Sequence, residues 1–441
     1  MTTYYTHTLD NGLRVIQYPA AGDVIYCGYA LKVGSRDELA GEDGLAHFCE
    51  HASFKGTSRR RGSQVIRALE EVGGELNAYT NKESTVYYCA CLREHLPRAI
   101  DLLTDMVFHS TFPEAELEKE KEVICDEIES YNDSPAELIY DDFDNILFHG
   151  HPLGHNILGT KESVRAFTSA DARRFTQRHY LPSNAVFFIS GIEPKPLSVK
   201  ERLSGKEPQL ITLLKSNFSK YPISPAQTLA EKGNGDGNTC QADVISNEPR
   251  EEAEHMHVQS SPLNGERGGL CHVIMGGKAY DINHPRRIAL YLLNNILGGP
   301  AMSSRLNMSL REKHGLVYTV ESTMVSYADT GMWCIYFGCD HDDVKRCMRL
   351  VRHELDMLMQ KPLSERQLSM AKKQLKGQIA LACDNRESFA LDFAKSFLHY
   401  GWEKDVTALY ANIDKLTTDD LHLVAQELFR EESIETLIYD K

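Results

Sequence analysis

The sequence predicts an α+β protein made of two homologous α/β domains, each an antiparallel-rich sheet with helices packed on it. Three observations lead there. Short strand-like runs alternate with amphipathic helical runs through the chain. The order of those runs repeats. TVYYCACLREHLPRAIDLLTDMV from Thr85 and GMWCIYFGCDHDDVKRCMRLVRHEL from Gly331 each read as strand, turn and helix. FPEAELEKEKEVICDEIES from Phe112 and LSERQLSMAKKQLKGQIAL from Leu363 each read as a helix start and a long helical run. The two matches share nearly the same offset, and a polar stretch separates them. The expected organisation is a first domain over 1–220, a Gly-, Pro- and acid-rich linker over 221–251, and a second domain over 252–441.

Taken in order, Tyr4–Leu9 alternates as a strand, Asp10-Asn11-Gly12 signals a turn, and Leu13–Tyr18 resumes the alternation. Val24–Val33 is a third strand. Helices are expected over Gly44–Phe54 and Gln64–Val72, then paired strands over Leu76–Thr80 and Thr85–Cys91. Further helices follow over Glu94–Val107, Glu114–Ser130, Ala136–Phe148 and Ala170–His179. Pro113 suits the start of the second of these, because a first-turn proline loses no helical hydrogen bond. Ala185–Ser190 closes the first half as a strand.

The chain has 441 residues and a formal net charge of -15, which opposes a duplex nucleic-acid partner. An acidic surface favours solubility or basic peptides. No window reaches the roughly 18 apolar residues that a spanning helix needs. The N-terminus lacks a basic then apolar leader pattern. The 11 cysteines follow no disulfide framework, and Cys27, Cys125, Cys334 and Cys383 lie among apolar residues. The expected setting is therefore cytoplasmic, away from membranes.

The sharpest motif is HFCEH. On a helix His47 and His51 project from one face, one turn apart, because successive residues turn by about 100°. Two imidazole nitrogens at that spacing suit one zinc ion. Glu50 shares the face and can reach a metal-bound water, an inversion of the more familiar HExxH order. A third protein ligand is expected in LEKEKEVICDEIES, where Glu120 and Glu127 are two turns apart and point the same way. Val123, Ile124 and Ile128 supply part of that helix's apolar face. A solvated charged helix is the competing reading, since Glu and Lys are good helix formers.

With glutamate in EKEVICDE far downstream of HFCEH, the chain resembles the inverted-motif zinc metallopeptidases, the family of pitrilysin, insulinase and mitochondrial processing peptidase, most of all its short bacterial members. TLDNGLRVI, GLAHFCEHASFKGT, GGELNAYTNKESTVYY, HPLGHNILGT and NNILGGPAMSSRLNMSLREKHGLVYTVES carry the likeness along nearly the whole chain outside the linker. The resemblance implies His47, His51 and Glu127 as ligands of one zinc ion per chain, and Glu50 as general base. It implies Glu120 as a catalytic support, able to hydrogen-bond one of the ligand histidines. It further implies Asn77 and Arg311 in substrate binding and Tyr318 as a stabiliser of the oxyanion. His149, His151 and His155 sit in a typical loop of the family and are assigned no metal.

The implied activity is a zinc endopeptidase acting on extended peptides or unfolded segments. The alternative is a scaffold or partner subunit with weak or no catalysis, though retention of all four motif residues opposes it. The family builds a clamshell from four such α/β domains. This chain supplies half of one, so a homodimer is expected, with a heterodimer with a related subunit as the alternative.

Overall fold

A computed structural model describes residues 4–193, 207–220, 270–401 and 405–440, with the backbone of 256–260. The 221–251 linker lies outside the described residues.

Among the described residues the first sheet has six strands, in the order β1-β2-β6-β3-β5-β4. They are β1 (Tyr5–Thr8), β2 (Arg14–Tyr18), β3 (Val24–Leu31), β4 (Glu75–Thr80), β5 (Thr85–Leu92) and β6 (Ala185–Ser190). The second has five described strands, in the order β7-β11-β8-β10-β9: β7 (Met256–Ser260), β8 (Cys271–Ala279), β9 (Val317–Ser326), β10 (Gly331–Cys339) and β11 (Glu435–Asp440). The repeat read from sequence is present in this topology. Strands β2-β6-β3-β5-β4 correspond in order to β7-β11-β8-β10-β9, and each set has its one parallel pair at the same place, β2 with β6 and β7 with β11.

Helices along this part of the chain include α1 (Leu45–Ser53), α2 (Gly62–Glu70), α3 (Leu96–His109), α4 (Glu114–Asn132), α5 (Pro135–Leu147), the short α6 (Lys161–Ala166) and α7 (Ser169–His179). Along α3 the apolar positions Ile100, Leu103 and Val107 recur at helical spacing, and the helix buries that stripe against β3 and β5. Leu45, Phe48, Cys49 and Ala52 do the same for α1, which packs on α7 and β4. Val123, expected on the apolar face of α4, is exposed; Ile124 and Ile128 are buried.

The packed units are not continuous in sequence. The first comprises 1–128, 155–248 and 383–404; the second comprises 129–154, 249–382 and 405–441. Helix α5, which lies between β5 and β6 in the chain, packs on β8 and β11. Its Ile139, Phe143 and Leu147 join Ile274, Cys334 and Leu437 in one core. The helix at Arg386–Tyr400 packs instead on β2, β3 and β6. There Phe389 and Phe393 meet the Tyr18 ring at 4.9 and 5.9 Å, and Arg14 donates to the Phe397 and Leu398 carbonyls at 3.1 Å each. Each exchanged helix follows the long helix of its own half, α4 or Glu365–Asp384, so equivalent segments are traded. The sequence boundaries at 220 and 252 miss this exchange, because periodicity marks an apolar stripe but not the sheet that stripe covers.

Candidate metal centre

Helix α1 starts without a side-chain cap of its own. The residue before it is Gly44, at φ 91, with no side chain to accept from the first-turn amides. A Cβ there would lie 2.6 Å from the Leu158 carbonyl oxygen, so glycine is required twice over. The orphan amides are met from upstream. Glu38 accepts from Gly44 N at 3.0 Å through Oε2 and from Ala46 N at 2.7 Å through Oε1. His155 Nε2 lies 3.1 Å from the same Oε2 and 2.9 Å from the Ser35 carbonyl. Burial pushes the Glu38 carboxyl up, while His155 and the two amides draw it back; His155 is raised chiefly by Glu38. A carboxylate at a helix N-terminus also complements the helix dipole. Glu38→Ala strips the acceptor from both amides and from His155. It is expected to cost about 1–3 kcal/mol, read as a lower urea midpoint of the full chain.

From that anchored start, α1 presents His47 and His51 to Glu120 and Glu127 of α4, and Glu50 to Thr80 of β4. The two imidazole rings stand 4.5 Å apart. His51 Nε2 lies 3.4 Å and His47 Nε2 3.8 Å from Glu127 Oε2. Donors on tetrahedral zinc, with bonds of about 2.0–2.2 Å, stand roughly 3.3 Å apart, so this spacing fits one ion among the three. His47 fits it further. The residue is buried, its Nδ1 has no hydrogen-bond partner among the described residues, and its Nε2 is aimed at a carboxylate beyond hydrogen-bond reach. Burial holds His47 at about 4, with the charge of His51 acting the same way, so its imidazole is neutral, the form that binds metal. Burial opposes charge on His51 as well, but Glu120 and Glu127 raise it to about 9. Carboxylates that favour a proton there also favour a cation.

Glu120 and Glu127 leave α4 on the same side, as their spacing predicts, yet they do different things. Glu120 Oε1 is 2.9 Å from His51 Nδ1, and Oε2 is 2.5 Å from Lys55 Nζ. The sequence left open which histidine Glu120 meets; it is His51. Glu120 thereby fixes the ring so that Nε2 faces Glu127. Although burial opposes it, His51 and Lys55 keep the Glu120 carboxyl below its usual range; Glu127 is lowered mainly by His51. Removing a converging donor should cost more metal affinity than removing a group that only orients one. Glu127→Gln is therefore expected to weaken zinc binding beyond the roughly 10–100-fold expected for Glu120→Gln. Competitive zinc titration of the two variants checks it, and the reverse order would make Glu120 the third ligand.

Glu50 is 7% exposed and accepts a 2.9 Å hydrogen bond from Thr80 Oγ1 through Oε2. Burial pushes its carboxyl up; His51 and Thr80 oppose that and the Glu127 charge adds to it. A carboxyl raised in this way holds a proton more readily than a free one, which suits a group that takes and returns it. Asn77 is exposed on β4, which among the described residues is an edge strand paired only with β5. In the second unit Arg311 is exposed in a π-helical turn over Asn307–Lys313, and Tyr318 is 68% exposed near the start of edge strand β9.

Sequence reasoning did not find Thr80, Lys55, Glu38 or the role of His155. Lys55 lies four residues after His51 and next to LEKEKE only in space, so its sequence signal is slight. The missing cap at Gly44 was a usable signal: a helix opening on glycine needs its acceptor from elsewhere.

Family models match both halves. Residues 15–161 match "Insulinase (Peptidase family M16)" and residues 166–375 match "Peptidase M16 inactive domain". The first match contains His47, Glu50, His51, Glu120 and Glu127. The chain is 30% identical over 434 residues to an uncharacterized zinc protease of Bacillus subtilis, covering 98% of this chain and 97% of that protein. It is 33% identical over 423 residues to an uncharacterized zinc protease of Streptomyces coelicolor, covering 96% of this chain and 86% of that one. A solved protease from Helicobacter pylori shares the fold at TM-score 0.83 over 100% of both chains, at 22% identity.

Proposed function

The chain belongs to the insulinase (M16) peptidase family, and from that premise we propose that it is an inverzincin-type zinc endopeptidase of extended peptides or unfolded segments. One observation carries the reading: two histidines from one helix and a glutamate from another converge within 4.8 Å, with a buried second glutamate beside them. In this reading His47, His51 and Glu127 hold one zinc ion. When bound, that ion polarises the scissile carbonyl and lowers the pKa of a water to about 7.

The chain's own groups do the rest. Thr80 pins one oxygen of Glu50, and the other takes a proton from the attacking water and returns it to the leaving amine. Glu120, held by Lys55, keeps His51 in the tautomer whose Nε2 is free to bind metal. The open side of β4 can take a substrate strand, with Asn77 touching its backbone. Arg311 binds substrate and Tyr318 steadies the oxyanion; both roles rest on the resemblance of REKHGLVY. A dimer, two chains closing a chamber of four α/β domains, is the assembly this reading expects, with a heterodimer as the alternative. The described cysteines form no disulfide, which suits a cytoplasmic setting; among the described residues no helix is long and apolar enough to cross a membrane.

The test is cleavage of a quenched fluorescent peptide with metal content measured in parallel. Activity lost on chelation and restored by zinc supports the reading. Zinc near zero with no cleavage would leave a scaffold subunit.

A further inference from the structure

A second convergence of metal-binding side chains lies at one end of the second sheet. Three segments far apart in sequence meet there. Cys271 opens β8, Asp440 closes β11, and His341 starts the short turn that follows β10. Strand pairing brings them together. Cys339, the last residue of β10, is directly opposite Cys271. Tyr439 is opposite His272, which sets Asp440 beside Cys271. The Cys271 Sγ is 3.2 Å from Asp440 Oδ1 and 3.9 Å from His341 Nδ1, and that nitrogen is 2.6 Å from Asp440 Oδ1.

The Cys271 thiol donates to Asp440 Oδ1, the same oxygen that meets His341 Nδ1, so a sulfur, an imidazole nitrogen and a carboxylate oxygen from three segments lie within 4.8 Å of one another. These are three metal-binding atoms, and one shared cation can take the place of the protons that now join them. With bonds of about 2.0–2.3 Å at tetrahedral angles, sulfur, nitrogen and oxygen donors stand roughly 3.3–3.7 Å apart. The two sulfur distances bracket that range, and the histidine–carboxylate pair reaches it by opening by less than about 1 Å.

We infer that Cys271, His341 and Asp440 form a second metal site, for a zinc-class divalent cation, separate from the centre on α1 and α4. The donor set selects the cation class. One sulfur, one imidazole and one carboxylate suit Zn²⁺ or Co²⁺; Mg²⁺ and Ca²⁺ want oxygen throughout, and Cu⁺ wants more sulfur. The thiolate and carboxylate together cancel the charge of a divalent ion. On binding, the Cys271 thiol proton leaves to solvent, and the imidazole changes tautomer, its hydrogen passing from Nδ1 to Nε2. The His341 side chain is 60% exposed, so the ion has a path in and water can fill the fourth position. The bound ion would clip the last strand to the start of β8 and to the turn after β10, a structural rather than a catalytic role.

Cobalt titration of the metal-stripped full chain tests this, because His47, His51 and Glu127 include no sulfur. The expected result is two Co²⁺ per chain, one of them bringing a near-ultraviolet thiolate-to-cobalt charge-transfer band. Glu127→Gln should keep that band. His341→Ala, a change in an exposed turn, should lose it along with one equivalent, and Cys271→Ser should do the same. If Cys271→Ser does not fold, His341→Ala decides alone. Absence of the band from the unmodified chain, or its full retention in His341→Ala, would overturn the inference.

Discussion

Glu50→Gln is expected to keep its zinc and to lose peptide cleavage by about 10²–10⁴-fold or more, the contribution of a positioned general base. The amide has the shape of the carboxylate and keeps an oxygen for the Thr80 hydroxyl, so α1 should not shift. What it lacks is the capacity to accept a proton. Metal content should not change, because Glu50 is not among the donors that converge on Glu127 Oε2. Steady-state hydrolysis of a quenched fluorescent peptide, with zinc measured on the same samples, separates the two effects. Hydrolysis retained at unchanged metal content would remove Glu50 from the role of base. Loss of both metal and activity would mean that Glu50 helps hold the ion.

How much of this was legible in the sequence depended on the range of the interaction. The HFCEH face of α1 and the shared face of Glu120 and Glu127 are local consequences of helical periodicity, and both are present in the fold. The strands of the first sheet were legible for the same reason, as alternation bounded by turn residues. The partner of Glu120 was not, because whether a carboxylate faces His47 or His51 depends on how α1 and α4 cross. Glu38 was not, because a cap supplied from upstream depends on the path of the loop between. The parallel pairing of β2 with β6 escaped similarly, since alternation gives no strand neighbour. The largest difference is the traded pair of helices. Their apolar stripes are plain in sequence, but two homologous sheets offer two similar faces, and only packing selects between them.

That trade bears on the second large effect. A fragment of residues 1–220 lacks Arg386–Tyr400, and with it Phe389, Phe393 and the backbone acceptors of Arg14. Its inactivity would therefore report a damaged sheet as readily as a missing substrate group. A point change in the full chain asks the question more cleanly. Tyr318→Phe removes one hydroxyl from a side chain that is 68% exposed at the start of an edge strand, so there is little packing to lose. If Tyr318 donates to the developing oxyanion, its hydrogen bond matters chiefly in the transition state. The variant should then lose about 10²–10³-fold in kcat, the usual effect of removing one oxyanion donor. KM should change little, because the ground-state carbonyl carries less charge for the phenol to stabilise. Arg311→Ala gives the contrast: a substrate-binding group should raise KM more than it lowers kcat. Full kinetic curves for both variants at matched zinc content make the comparison. A Tyr318→Phe enzyme with normal kcat would leave the second unit without a part in the chemistry.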